Sequence, residues 1–152
     1  MLQKPATAPA LEDASALSFA IVKSSYHGEL TQSMTDACID TLLAAGVSRE
    51  NIDIYEAPGS WEIPLMAQRA LDAKRYDGVA TFGVIVKGET YHFDMIANEV
   101  ARALMDLTLA YSTPIALEVL AVMNLEQARV RAKGGHNKGA EAAAAMLASI
   151  PR

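Results

Sequence analysis

The chain has 152 residues, half of them apolar, and carries 13 Lys and Arg against 18 Asp and Glu, a formal charge of −5. This length fits one globular domain that buries roughly 70% of its unfolded surface, and the acidic balance excludes the basic footprint a DNA or RNA partner requires. A single cysteine, Cys38, excludes an internal disulfide framework and a multi-cysteine zinc site, and no stretch reaches the ~18 apolar residues of a membrane helix.

Residues 1–16 are rich in Ala and Pro and lack apolar periodicity, so they are expected to form an arm that orders only against something else. They also lack the apolar core of a secretory signal, which makes the cytoplasm the expected compartment. One domain is expected over residues 17–152. In it, strand-like runs at 18–23, 51–56, 78–86 and 115–122 alternate with amphipathic segments at 31–45, 64–73, 91–111, 125–132 and 138–149. That alternation predicts a parallel sheet covered by helices on both faces. Gly46 marks the end of the first helix, Pro64 is admissible only in a first helical turn, and Asn124 with Gln127 forms a capping-box-like start. Cys38 falls inside the first helix, where a small apolar side chain packs. Along 91–111, Phe93, Ile96, Ala97, Val100, Leu104 and Leu107 form one apolar stripe.

In open α/β sheets, ligands bind beyond the carboxyl ends of the strands, and most of the chemically distinctive residues fall in those segments. The first strand leads into Ser24-Ser25-Tyr26-His27, the second into Pro58-Gly59-Ser60-Trp61-Glu62, and the third into Lys87-Gly88-Glu89-Thr90-Tyr91-His92. Gly83 and Gly88 have P-loop spacing, but Glu89 occupies the place of the phosphate-binding lysine, which excludes an NTPase. A glycine turn entering a helix keeps the capacity to bind phosphate on free N–H groups. His92, in the first turn of that helix, reads either as a proton-transfer group or as a surface histidine. Tyr26 and Trp61 read either as stacking platforms or as loop anchors. Arg129, Arg131, Lys133, His136 and Lys138 concentrate positive charge in an acidic chain, as an anion clamp or a solvated helix end. Three histidines on separate segments give no metal motif.

Taken together, Pro58-Gly59-Ser60-Trp61-Glu62-Ile63-Pro64, Gly83-x-x-x-x-Gly88-Glu89-Thr90-x-His92-Phe93-Asp94, Asn98-Glu99-Val100, Leu125-Glu126-Gln127-Ala128 and Asn137-Lys138-Gly139-Ala140-Glu141-Ala142 closely resemble the 6,7-dimethyl-8-ribityllumazine synthase family. The likeness runs in register from about Ser18 to Ser149 apart from one short loop. It implies a flavodoxin-like three-layer α/β/α sandwich with a four-stranded parallel sheet, its N-terminal arm packed on a neighbouring subunit. It also implies a transferase of riboflavin biosynthesis that condenses 5-amino-6-(D-ribitylamino)uracil with 3,4-dihydroxy-2-butanone 4-phosphate, with loss of phosphate and water and no metal or organic cofactor. The partners implied are small-molecule substrates and further copies of the chain, as pentamer, decamer or 60-subunit shell, with sites between adjacent subunits.

By the same resemblance, Tyr26 stacks on the pyrimidine, Ser60, Trp61 and Glu62 hold its edge and ribityl hydroxyls, and Val84 and Ile85 line the floor. Gly88, Glu89 and Thr90 take the phosphate, and His92 moves protons. From the neighbouring subunit, Leu117 closes the ring pocket, Arg131 binds phosphate with Arg129 in reserve, and Lys138 completes the site. The chain departs from the family pattern at Ser25-Tyr26-His27, where Arg-Phe-Asn is usual, at Leu117, where an aromatic is common, and at Val122-Met123. A non-catalytic flavin- or lumazine-binding paralogue on the same scaffold is the rival reading.

Overall fold

The computed structural model describes residues 13–151. In chain order it contains β1 (Phe19–Ser24), α1 (Gly28–Ala44), β2 (Ile52–Ala57), α2 (Ile63–Ala73), β3 (Gly78–Val86), α3 (His92–Tyr111), β4 (Ile115–Val122), α4 (Leu125–Ala132) and α5 (Lys138–Ala148). The strands form one four-stranded sheet in the order β2-β1-β3-β4, and every pair is parallel. Alternation of side chains along each strand divides the apolar residues between the two faces. On one face Phe19, Ile21 and Phe82 pack with Met34, Cys38 and Leu42 of α1 and with Ala143, Met146 and Leu147 of α5. On the other, Ala20, Val22 and Val79 pack with Ile63, Ala67 and Ala70 of α2 and with Val100 and Leu104 of α3. The result is the expected three-layer α/β/α sandwich, with the apolar stripe of α3 turned inward. Burial also pushes the Cys38 thiol up to about 12, so it packs as a neutral side chain.

The strands at 78–86 and 115–122 and the helix at 125–132 have the expected bounds. The first helix differs, beginning at Gly28 rather than at residue 31. His27 adopts the left-handed conformation (φ 54°, ψ 42°), and its carbonyl accepts from the amides of Leu30 and Thr31. Histidine at positive φ has no sequence signature as clear as glycine's, so this extra turn could not be read from the chain. Gly46 does carry the expected positive φ, +102°.

The expected arm lies mostly outside the described residues, and its packing on a neighbour wholly so. Its last residues do pack: Ala14 is buried in the α1 core. Among the described residues no helix is long and apolar enough to cross a membrane.

Small residues set the spacing between α1 and α5. A Cβ on Gly139 would sit 1.8 Å from the carbonyl oxygen of Met34, and Ala142 and Ala143 continue the close face. Gly139→Ala is therefore expected to force the two helices apart and cost about 3 kcal/mol or more of unfolding free energy. Gly88→Ala, with open space around it, should stay within about 0.5 kcal/mol of the native chain. Chemical denaturation of the two variants checks this.

Candidate active site

Ladder hydrogen bonding continues past the ends of β1 and β2 and joins the loops that follow them. The amide of Ser25 donates to the carbonyl of Ala57 at 2.8 Å, and that of Tyr26 to Pro58 at 3.2 Å. The buried Ser24 hydroxyl donates to the Tyr26 carbonyl at 2.8 Å, which fixes the backbone from which Tyr26 projects. The Tyr26 ring is two-thirds exposed and meets the His27 ring edge-on, with centroids 4.5 Å apart. Across the joined loops, the Gly59 amide donates to Glu62 Oε2 at 3.1 Å and the Glu62 amide donates back to the Gly59 carbonyl at 3.3 Å. This turn rests directly on β3: a Cβ on Gly83 would fall 2.6 Å from Ser60 Oγ and 2.9 Å from Ile63 Cδ1. Ser60 is buried while Trp61 is more than half exposed. Tyr26, Ser60, Trp61 and Glu62 thus share one rim at the carboxyl end of the sheet.

The floor residues separate by pleat. Val84 packs in the α1/α5 core with Phe82, so alternation puts Ile85 on the opposite face with Gly83 and the Ser60 turn. Beyond β3, Gly88, Glu89 and Thr90 are exposed, and His92 opens α3 equally exposed. The N-cap residue, Tyr91, makes no side-chain bond to this helix, so the first turn keeps N–H groups without a capping partner, with the positive end of the helix dipole behind them. The Thr90 hydroxyl accepts a long bond from the His92 amide at 3.4 Å, and Glu89 and Asp94 put carboxylates beside the same turn.

The remaining expected site residues lie toward the other edge of the sheet. Asn124 accepts from the Gln127 amide at 2.9 Å, and the Gln127 side chain reaches back to accept from Met123 at 2.8 Å, one residue earlier than a standard capping box. Arg131 lies along its own helix, donating to the Gln127 carbonyl at 2.9 Å, and Arg129 pairs with Glu126 at 3.6 Å. Leu117, on edge strand β4, is nearly half exposed. Lys138 pairs with Glu141 at 2.9 Å, its side chain 17% exposed. Arg131 and Lys138 therefore belong to the α1/α4/α5 layer and His92 to the α2/α3 layer, with the sheet between them.

Two residues of this region escaped the sequence reading. Asn137 was noted only within a motif, yet it is buried and organises the entry to α5. It donates to the carbonyls of Ala132 at 2.7 Å and Ser33 at 3.3 Å and accepts from the Gly139 amide at 2.8 Å. Glu118 interrupts the row Ala116, Leu120 and Val122 that β4 turns toward the α1/α5 core. A charge breaking an apolar alternation is the signal that would have found it.

The family model described as 6,7-dimethyl-8-ribityllumazine synthase matches residues 16–151. The chain belongs to this family. A protein of that name from Gemmatimonas aurantiaca is 40% identical over 128 residues, 84% of this chain and 78% of that one. Proteins of the same name from Nitratidesulfovibrio vulgaris and Stenotrophomonas maltophilia are 38% and 35% identical, over 91% and 87% of this chain and 89% and 86% of theirs. In this member of the lumazine synthase family, the segments that carry the likeness at 58–62 and 137–141 are tied down by side-chain to backbone bonds. Asn137→Ala should remove three such bonds and leave the buried Gly139 amide unpaired, while the Ala132 carbonyl keeps the Ser33 hydroxyl at 2.6 Å. The expected cost is about 2–4 kcal/mol, measurable by equilibrium unfolding, and Asn137→Asp should recover only the bond accepted from Gly139.

Proposed function

We propose that this chain is an enzyme that makes 6,7-dimethyl-8-ribityllumazine, condensing 5-amino-6-(D-ribitylamino)uracil with 3,4-dihydroxy-2-butanone 4-phosphate in the penultimate step of riboflavin biosynthesis. The observation that carries this reading is that proteins 35–40% identical over most of the chain bear the name of that synthase. The rim supports it: two exposed aromatic rings, a buried hydroxyl and a tethered carboxylate suit a flat, polyhydroxylated ring system.

In this reading Tyr26 stacks on the pyrimidine, Ser60, Trp61 and Glu62 engage its edge and ribityl chain, and Val84 and Ile85 support the floor. Gly88, Glu89 and Thr90 with the open end of α3 receive the phosphate, and His92 passes protons as the imine forms and phosphate departs. Most of the acceleration comes from holding an amine against a ketone, which supplies up to about 7–11 kcal/mol in favourable cases. Water and phosphate are the only groups lost, so no metal or redox cofactor is called for.

The same reading requires more than one chain. Arg131, Lys138 and Leu117 complete a neighbour's site, which accounts for cationic groups lying in the layer opposite His92. Exposed apolar residues on α2 and α3, Leu65, Met95, Met105 and Leu109, provide a surface that assembly would bury. We take the working form to be a homo-oligomer in the cytoplasm built from rings of five.

Steady-state kinetics with each substrate varied test these roles. Arg131 would exchange its bond to the neutral Gln127 carbonyl for ion-paired bonds to phosphate. Arg131→Ala is therefore expected to weaken use of the butanone phosphate by about ten- to a hundredfold and to spare the pyrimidine KM. His92→Ala should lower turnover toward the lower end of the roughly 10²–10⁴-fold range of general acid–base groups. Rings reassembled from both variants should regain activity. A bound yellow ligand without turnover in the native protein would instead favour the non-catalytic paralogue.

A further inference from the structure

Lys138, Glu141 and Glu118 form a cluster of one ammonium and two carboxylates on the α5 side of β4. The Lys138–Glu141 pair is closed at 2.9 Å, with side chains 17% and 29% exposed. Glu118 lies on the face of β4 that α5 covers, half-buried between Ala116 and Leu120 and level with Phe82 of β3. Ala116 lies beside Ala145 and Met146 of α5, and the charges of both Lys138 and Glu141 act on Glu118. The other surroundings are apolar: β3 turns Ala80, Phe82 and Val84 to this face, and α4 contributes Ala128 and Ala132, its Arg131 being held by the Gln127 carbonyl. Lys138 and Glu141 are thus the charged groups facing Glu118. One ammonium cannot neutralise two partly desolvated carboxylates, so one of them holds a proton more readily than a free carboxylate does.

We infer that Glu118 is a positioning residue for Lys138: ionised, it draws the ammonium into the cluster and away from substrate, and protonated, it leaves Lys138 balanced by Glu141 alone. The inference rests on the proposed function, which makes Lys138 part of the substrate site. Burial, reinforced by Glu141 and opposed by Lys138, pushes the Glu118 carboxyl up to about 7, so the change falls in the neutral range. Below that pH the cluster is neutral overall. Above it, the net charge is −1, and an electron-rich pyrimidinedione is held less well.

The test compares the assembled native protein with Glu118→Gln, using Glu118→Leu if Gln disturbs assembly. Binding of 5-amino-6-(D-ribitylamino)uracil is measured by calorimetry, and KM by turnover, at pH 6 and pH 8. The native Kd and KM should rise about fivefold over this range, the scale of one partly screened charge pair. The variant should lose this fivefold rise and keep only the pH dependence, such as the ligand's own ionisation, that is common to both proteins.

A second measurement needs no activity. Because the folded pKa is raised, the contribution of Glu118 to stability is full below the ordinary carboxyl range, near 4.5, and is lost as pH rises through about 7. Glu118→Gln should therefore melt above the native protein at pH 8 and lose that advantage by pH 4.5. Equal melting differences at both pH values, or the same pH dependence of binding in both proteins, would overturn the inference. Native protein that fails to bind the pyrimidine even at pH 6 would overturn the functional reading itself.

Discussion

β3 carries the register of the whole sheet. Its first half, Gly78 to Phe82, pairs with β1 and Val79 to Val86 with β4, and it is buried on both faces from Gly78 to Ile85. A strand so placed tolerates few side chains, and at Gly83 it tolerates none, because the Ser60 turn and Ile63 occupy the space. That close approach fixes the height of the 58–62 turn above the sheet, and through the Tyr26 to Pro58 bond it also fixes the loop after β1. The same strand then runs out into the Gly88 turn and α3, so its three neighbours at the carboxyl end take their positions from one backbone.

Helices on the two faces answer different requirements. α2 meets the sheet through Ile63, Ala67 and Ala70 and α3 through Val100 and Leu104, and the two leave a row of apolar residues outside. α1 and α5 are packed through glycine and alanine, close enough that backbone touches backbone. The tight side sets Lys138 at the first position of α5, between the Asn137 cap and Glu141. The looser side, with exposed Leu65, Met105 and Leu109, is the one with apolar surface still to bury.

Most of the architecture was legible because period and punctuation agreed. The continuous apolar run at 78–86 has the pattern of a strand buried on both faces, and Asn124, Pro64 and Gly46 bound elements through local chemistry that needs no tertiary context. The first turn of α1 was not legible, since it depends on His27 holding positive φ. At the site, the strand-end segments stood out through residue type alone, and Tyr26 lies on a loop bonded through its amide to Pro58 at the start of the turn that carries Ser60, Trp61 and Glu62. Val84 and Ile85 look equivalent in sequence, yet the pleat sends them to opposite faces. Glu118 left a readable mark, a charge in an apolar alternation, but what it faces did not, because Glu141 is distant in sequence. Asn137 caps Gly139 locally, whereas its bond to Ser33 spans 104 residues.

The division of the cationic groups has a consequence for how the parts depend on each other. His92 belongs to the α2/α3 layer and Lys138 to the α1/α4/α5 layer, and the sheet that separates them is filled with side chains on both faces. Core packing resists continuous deformation, so the two layers keep fixed positions relative to each other. If both groups act on one substrate in the way proposed above, two chains supply them. Site geometry is then set at an interface, and the half-exposed Leu117 on the free edge of β4 becomes intelligible as a residue waiting for a surface. On that reading, a loss of interface packing would also appear as a loss of catalysis, even where the individual subunit fold is intact.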